Sequence, residues 1–275
     1  MTVITSISNI RVKDIRKLRE RKYRKETGSA WVEGLRACGD AFTRLNDVQL
    51  VVVCPELLHS DFAGELLNRA AKAGIEVMEV NRDVYATLSG KENPQGMGVV
   101  IRQNFSELET IDLAAGDLWV ALDRVADPGN LGTIMRTLDA CGGKGVFLLD
   151  QCTDPYDPTA IRASTGAIFF EKLVRTDTAS FTRWKHKHGV QLVGAVAVPG
   201  AKDYHKQKYP DSLVLIMGSE REGLSQALTD LCDICVTIPM IGHVDSMNLA
   251  EATAITLYEI FNQRRDRKQS TGENQ

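Results

Sequence analysis

The stretch that decides the fold reads LVLIMGSEREGLS from Leu213 to Ser225 and, after a short connection, ICVTIPMIGHVDSMNLAEATAITLYEIF from Ile234 to Phe261. The apolar runs Leu213–Met217 and Ile234–Ile238 are too short for helices and end in the breakers Gly218 and Pro239, so they read as buried strands. A loop with Gly242, His243, Asp245 and Ser246 follows the second run. Beyond it, Ala250, Ala254, Leu257 and Phe261 fall at spacings of four, three and four and make one apolar stripe on a helix. Loops leaving the carboxyl ends of neighbouring parallel strands are where an open α/β sheet places its ligand. GSEREGLS supplies glycines that let backbone amides approach a ligand, and one carboxylate, Glu220. A plain turn with a helix cap would use the same Ser and Gly.

The alternation extends upstream. LWVALD predicts a strand from Leu118, followed by the loop RVADPGN, a helix over Leu131–Ala140 that ends at Gly142 and Gly143, and a strand over Gly145–Leu149. A Pro-rich turn from Asp154 runs into AIRASTGAIF, and a strand Leu173–Arg175, a helix to His188 and a strand Val190–Val198 lead to the opening stretch. Asn104–Gly116 is polar and mildly acidic and reads as a linker. Before it come a helix Ile10–Lys25 with Ile10, Ile15 and Leu18 as its apolar residues, a strand Ala30–Glu33 and a helix Gly34–Arg44 burying Leu35, Cys38 and Phe42. A strand Val48–Cys54, a helix Asp61–Lys72 carrying Phe62, Leu66 and Ala70, a strand Ile75–Val80, a short helix Asp83–Leu88 and a strand Met97–Ile101 complete it. Repeated strand-helix order predicts a small α/β unit with a largely parallel sheet.

The 275 residues, 43% hydrophobic and 25% charged, have an ordinary soluble composition with room for two modest domains. No run is apolar for the length of a membrane span and the first residues lack the apolar core of a signal peptide, so a cytoplasmic protein with no membrane partner is expected. Six scattered cysteines predict reduced thiols, and the CxxC of Cys232 and Cys235 lacks a second pair at zinc spacing, so no metal is expected. A net charge of −3 argues against indiscriminate coating of nucleic acid, and DNA is not an expected partner. Distribution matters more than the total: nine Lys and Arg between Arg11 and Lys25 face only Asp14 and Glu20. Arg16, Lys17, Arg19, Arg21 and Lys22 are candidate phosphate contacts, although a solvated helix would look the same. No G-x-G-x-x-G follows any predicted strand, which leaves no dinucleotide fingerprint.

Gly218–Glu220 (GSE), Ile238–Met240 (IPM) and Ser246–Ala252 (SMNLAEA), together with DPGNLGTIMR at Asp127–Arg136, resemble the signature motifs of the SpoU-type, TrmH-like RNA 2′-O-ribose methyltransferases of the SPOUT superfamily. The family pattern of an Asn, a Gly two residues on and an Arg six on is met by Asn130, Gly132 and Arg136. Ser164–Ala167 resembles the family's Ser-x-Gly-Ala segment, as would a helix ending at Gly166. WVEGLRACGDAF and LSGKENPQGMGVV, with Glu33, Gly34, Gln95 and Gly96, resemble the L30e-like substrate-binding domain that many such enzymes carry first.

The resemblance implies residues 1–105 as the L30e-like domain, 106–116 as linker, 117–268 as the catalytic domain and 269–275 as a disordered tail. It also implies a parallel sheet with a deep trefoil knot, a fold that general topology rules would not give, and a homodimer. S-adenosylmethionine is the implied cofactor, held by Gly218, Ile238, Met240, Met247, Asn248 and Leu249. Arg136, Asn130, Glu220, Ser246 and Asn248 are the implied catalytic set. Arginine stays protonated and is a poor base, so Arg136 is assigned the phosphate beside the target ribose and the developing oxyanion. Asn130, where a helix starts, would also serve as its N-cap. Arg264 is a candidate second phosphate contact or a solvated arginine. Glu251 departs from the family pattern. The expected substrate is rRNA, 23S in particular, because an L30e-like domain suits folded rRNA; tRNA and an antibiotic-resistance rRNA modification stay open. From another class, a non-catalytic RNA-binding assembly factor is the alternative.

Overall fold

The alternation of strands and helices is realised as two units in a computed structural model that describes residues 3–197 and 200–271, and the side chains of all but the last two of these. Unit 1 comprises Met1–Asn104 and Asp154–Phe169; unit 2 comprises Phe105–Thr153 and Phe170–Gln275. Val198, the expected end of one strand, and residues 272–275 of the expected tail lie outside the described residues.

Unit 1 contains α1 (Ile10–Lys17), α2 (Arg21–Thr27), β1 (Ser29–Glu33), α3 (Leu35–Ala41), β2 (Val48–Val53), α4 (Asp61–Lys72), β3 (Val77–Glu79), α5 (Arg82–Leu88) and β4 (Met97–Arg102). Its sheet has the order β1-β4-β2-β3, with β4 antiparallel to both β1 and β2 and only β2–β3 parallel. The expectation of a largely parallel sheet is thus corrected to a mixed one. The helical crossovers do give β1, β2 and β3 a common direction, but the last strand inserts between β1 and β2 and runs against them. On α4 the buried face is Ala63, Leu66 and Ala70, while Phe62 is exposed and lies over Gly39.

The single helix expected over Ile10–Lys25 is broken at Leu18–Glu20, and Arg24 shows why. Its Nη1 donates to the carbonyls of Leu18 (3.0 Å) and Arg19 (2.7 Å), which a helix end leaves without partners. Its Nε donates to Asp154 (2.7 Å) and its Nη2 to Asp157 (3.1 Å). One of the nine clustered cations is therefore a core residue, 1% exposed, that fastens Asp154–Asp157 into unit 1.

Unit 2 contains β5 (Leu118–Asp123), α6 (Pro128–Ala140) and β6 (Gly145–Leu149); α7 (Pro158–Ser164) belongs to unit 1; then β7 (Lys172–Thr176), α8 (Thr178–His188), β8 (Leu192–Ala195), β9 (Lys202–Asp203), β10 (Leu213–Met217), α9 (Gln226–Leu231), β11 (Ile234–Thr237) and α10 (Leu249–Thr271) return to unit 2. The strands lie in the order β7-β6-β5-β10-β8-β11-β9, and each pairing is parallel. Buried on both faces, β5 and β10 are continuous apolar runs, as parallel strands must be. Trp119, Phe147, Phe181 and Trp184 form an aromatic core with ring centroids 4.8 to 5.6 Å apart.

Residues 106–116 are not a linker. Leu108 and Ile111 are buried in that core, Trp184 Nε1 donates to the Ile111 carbonyl (2.9 Å), and Ser106 N donates to Leu173 O (2.8 Å). Helix α10 passes the expected boundary at Lys268, so residues 269–271 are helical rather than disordered tail. Its buried stripe runs through Ala250, Thr253, Thr256, Leu257 and Ile260, with Ala254 and Phe261 only half-buried. The two threonines enter the core because their hydroxyls bond the carbonyls of Leu249 and Ala252 one turn back.

Replacing Arg24 by Ala removes a charged donor from two carboxylates and two carbonyls, and should lower the stability of unit 1 by about 3–5 kcal/mol. Urea unfolding followed by far-UV circular dichroism measures it; a loss below about 1 kcal/mol would mean that the pair behaves as a surface ion pair.

Candidate active site

The register Met217↔Leu122 between β10 and β5 places the loops after these strands side by side. Gly218 starts the loop after β10. A Cβ there would collide with the backbone of Gly223 and Leu224, because Ser219 and Gly223 exchange backbone hydrogen bonds of 3.1 and 3.0 Å across the turn. Glycine is thus required first by the closure of the loop itself. That closure carries Glu220 to the start of α6, where it accepts from Ala126 N (3.2 Å), Asp127 N (3.2 Å) and Asn130 Nδ2 (3.1 Å).

The N-cap of α6 is Asp127, whose side chain accepts from Asn130 N (2.7 Å), so Asn130 is not the cap that its position suggested. The freed Asn130 amide bridges: its Oδ1 accepts from Asn248 Nδ2 (3.1 Å), and Asn248 Oδ1 accepts from Ala250 N (2.8 Å) and Glu251 N (3.3 Å), capping α10. Glu251 itself is exposed in the first turn, where a carboxylate favours the helix dipole. Burial alone would raise the Glu220 carboxyl, but the bonds from Asn130 and the backbone amides outweigh it and hold the group below its ordinary range.

Beside this chain lies a cavity of ≈ 610 Å³ bounded by the ends of β8, β10 and β11 and the start of α10. All six residues expected to hold a cofactor line it: Gly218, Ile238, Met240, Met247, Asn248 and Leu249. Glu220 and Ser246 line it as well. Sequence reading missed Ala195–Ala197, Leu224, Thr229 and Thr237. Ala195–Ala197 leave the carboxyl end of β8 and would follow from the strand-end rule once β8 is known to neighbour β10 and β11. Also missed was Arg124, in the left-handed region at φ 53°, whose Nε and Nη2 bond the buried Asp123 (3.0 and 3.3 Å) and whose Nη1 bonds Glu222 (2.9 Å). It ties the β5 end to the GSEREG loop.

Arg136 stands apart. It is exposed on α6, outside the cavity lining, and its side chain makes no hydrogen bond or ion pair among the described residues. Arg264 is corrected from RNA contact to brace: its guanidinium donates to the carbonyls of Gly116 (3.1 Å), Asp117 (3.2 Å) and Asp211, at the amino ends of β5 and β10. Burial lowers its pKa, as a desolvated cation requires. Of the five cations proposed on the N-terminal helix, Lys17 pairs with Asp14 (2.9 Å), Lys22 faces Glu26 (4.0 Å), and Arg16 and Arg19 reach the carbonyls of Ile7 and Ser89. Arg21 is exposed. None of the six cysteines is in a disulfide, and burial pushes the Cys232 thiol up to about 12.

Residues 117–258 match the SpoU rRNA methylase family and residues 9–98 match the MRM3-like substrate-binding domain. The chain is 30% identical over 261 residues, 94% of its length and 99% of the relative's, to the 23S rRNA (guanosine(2553)-2′-O)-methyltransferase RlmP of Bacillus subtilis (strain 168). Among solved structures, an AdoMet-bound rRNA methyltransferase from Sinorhizobium meliloti superposes with a TM-score of 0.87 at 37% identity, covering 96% of this chain and 98% of that one. The SpoU methyltransferase AviRb from Streptomyces viridochromogenes, in complex with AdoMet, does so with a TM-score of 0.83 at 29% identity, covering 94% and 98%.

Glu220 has a depressed pKa, so its contribution to stability is present above its ordinary value of 4.5 and is lost as pH falls through the folded value. Glu220→Gln removes that contribution. The thermal midpoint of the wild type should exceed the variant's at pH 7 and the gap should narrow steadily below pH 4.5; a gap independent of pH would show that the carboxylate charge is immaterial.

Proposed function

The chain belongs to the SpoU rRNA methylase family and is an S-adenosylmethionine-dependent RNA 2′-O-ribose methyltransferase, and on that premise we propose that its substrate is 23S rRNA, modified in the cytoplasm by a homodimer. Likeness to RlmP over 94% of the chain and 99% of that relative supports the rRNA target, since it includes the substrate-binding half as well as the catalytic one. Exposed apolar side chains at Ile241, Val244 and Tyr258 of unit 2 support a partner subunit on that unit. The trefoil knot belongs to the same reading.

The observation that carries the mechanism is the Glu220–Asn130–Asn248 chain beside the 610 Å³ cavity. That volume, within the range of about 300–1,000 Å³ for small-ligand sites, and the cavity's strand-end backbone groups and half-buried apolar walls fit S-adenosylmethionine. When bound, the cofactor supplies an electrophilic methyl group. Gly218, Ile238, Met240, Met247 and Leu249 would hold it, chiefly through backbone. Glu220 fixes the Asn130 amide, and Asn130 orients Asn248, so no member can rotate alone. Ser246 and Asn248 face the cavity as polar groups for the bound molecules.

A guanidinium is a poor general base and a ribose hydroxyl holds its proton far above neutrality, so Arg136 acts as a positioned cation. It binds the phosphate beside the target ribose and stabilises negative charge as it develops on the 2′-oxygen. With no side-chain hydrogen bond or ion pair among the described residues, its whole guanidinium fork is left for RNA. Positioning alone can supply roughly 7–11 kcal/mol of barrier reduction, so no strong base is needed. Retention of Arg136, Asn130, Glu220 and Asn248 together disfavours a non-catalytic assembly factor.

The purified protein, radiolabelled S-adenosylmethionine and total RNA from cells lacking the gene should give label in one large rRNA, at a nucleotide resistant to alkaline cleavage. Label in tRNA would overturn the substrate, and binding without label would favour the assembly factor. Arg136→Ala should lower transfer on the order of 10²–10³-fold with cofactor affinity kept; an unchanged rate would remove its assigned role.

A further inference from the structure

Unit 1 holds a second cavity, of ≈ 450 Å³, that none of the chemistry above uses. Trp31, Ala37, Leu88, Pro158 and Ile161 give it apolar and aromatic wall, and Arg36, Lys91 and Arg162 stand around it. These three are exposed, and their side chains make no hydrogen bond or ion pair among the described residues. Elsewhere in the unit Arg11, Lys17, Lys22 and Arg24 all face carboxylates of their own chain. The backbone makes room for the cations: Gly34 has φ 98°, and a Cβ there would come within 2.6 Å of Lys91 Nζ.

The opposite wall is strained. Thr165 sits in the left-handed region at φ 47° and ψ 37°, an outlier for a β-branched residue, and Gly166 follows at φ 101°. Strain of this kind persists where the surroundings impose it. Here it presses the Gly166 backbone against the Asp40 carboxylate, where a Cβ would collide. Asp40 has no side-chain hydrogen bond among the described residues, and burial raises its pKa. The Trp31 indole N–H is likewise buried without a partner.

We propose that this cavity receives one unstacked nucleotide of the substrate RNA, with its phosphate on Arg36, Lys91 and Arg162 and a donor edge of its base on Asp40. Sequence-selective RNA recognition works on such unpaired bases, through aromatic contact and hydrogen bonds to base edges. Three unpaired cations beside an apolar wall suit a group that is anionic at one end and flat at the other. The proposal rests on RNA being the substrate and adds a reading subsite to it. Two of its walls come from Asp157–Gly166, which lies within the stretch matched to the methylase family and yet belongs to unit 1.

The test uses the full-length protein and 23S rRNA transcribed without modification. Combining Arg36→Ala, Lys91→Ala and Arg162→Ala should weaken RNA binding at least tenfold and reduce the slope of log K against log salt by about 0.7, the single-strand value for one phosphate. The cofactor affinity should stay at the wild-type value. Asp40→Asn, a conservative change that keeps the fold, should lower affinity for the target fragment more than for an unrelated RNA. Photocrosslinking of 4-thiouridine-substituted rRNA should yield peptides carrying Trp31 or Ile161. Unaltered affinity and salt slope in the triple variant would overturn the proposal. So would binding of free nucleoside monophosphates by the wild type with no loss of rRNA affinity in the variants, which would assign the cavity to a small molecule. Absence of methyl transfer by the wild type tests the enzyme reading alone, because binding and crosslinking need no turnover.

Discussion

The Glu220 carboxylate accepts from three donors at the start of α6, and the working end of unit 2 depends on that attachment. A helix start leaves its first amides without partners and carries the positive end of the helix dipole. Asp127 answers one amide as N-cap, and Glu220, arriving from a strand more than ninety residues later, answers the two before it. This is possible only because β10 lies directly beside β5. Asn130 then passes the constraint to Asn248, so the starts of α6 and α10 are joined through one carboxylate and two amides. Gly218 belongs to the same device, since any side chain there would open the turn that delivers Glu220.

Helix α10 is consequently held at both ends. Asn248 caps it beside the cavity, and Arg264, four turns along, fixes it to three carbonyls at the amino ends of β5 and β10. Between them the helix packs on α6 and buries Ala250, Leu257 and two threonines whose hydroxyls are satisfied within the helix. A cavity walled by loops needs such fastening. Its linings Met240 and Ser246 are exposed, and their placement is inherited from the strand ends and the capped helix on either side.

What the sequence made legible was local. The limits of β5, β6, β10 and α4 follow from apolar runs and breakers, and every expected cofactor residue lines one cavity. What it left hidden were partnerships set by distant residues. Nothing near Leu108 and Ile111 announces that Trp184 will bury them, so a packed segment read as a linker. Nothing in the cationic run Arg11–Lys25 marks Arg24 as the one that turns inward, because Asp154 and Asp157 lie some 130 residues away. Strand direction was partly legible: crossovers aligned β1, β2 and β3, while the insertion of β4 between two of them is a choice made by the whole sheet. Asn130 misled in a different way. Asn and Asp cap equally well, and only the geometry shows that Asp127 took the cap and left Asn130 free to bridge.

Charge distribution ties these points to function. A protein of net charge −3 gains nothing from its overall field when it approaches a polyanion, so affinity must come from particular cations. A cation already paired must exchange one anion for another, and for exposed pairs that exchange is worth only about 0–1 kcal/mol. Arg11, Lys17 and Lys22 are in this position, while Arg24 is buried in the fold and Arg264 is committed to backbone carbonyls. The side chains of Arg36, Lys91, Arg162 and Arg136 make no hydrogen bond or ion pair among the described residues, and each is held by a short, capped or glycine-shaped element rather than a loose tail. Counting lysines and arginines along the sequence points to the N-terminal helix. Folding instead gathers three cations without a side-chain acceptor among the described residues around one cavity of unit 1, and leaves Arg136 on one face of α6, where charge-assisted hydrogen bonds to a phosphate would meet no competition from a neighbouring carboxylate.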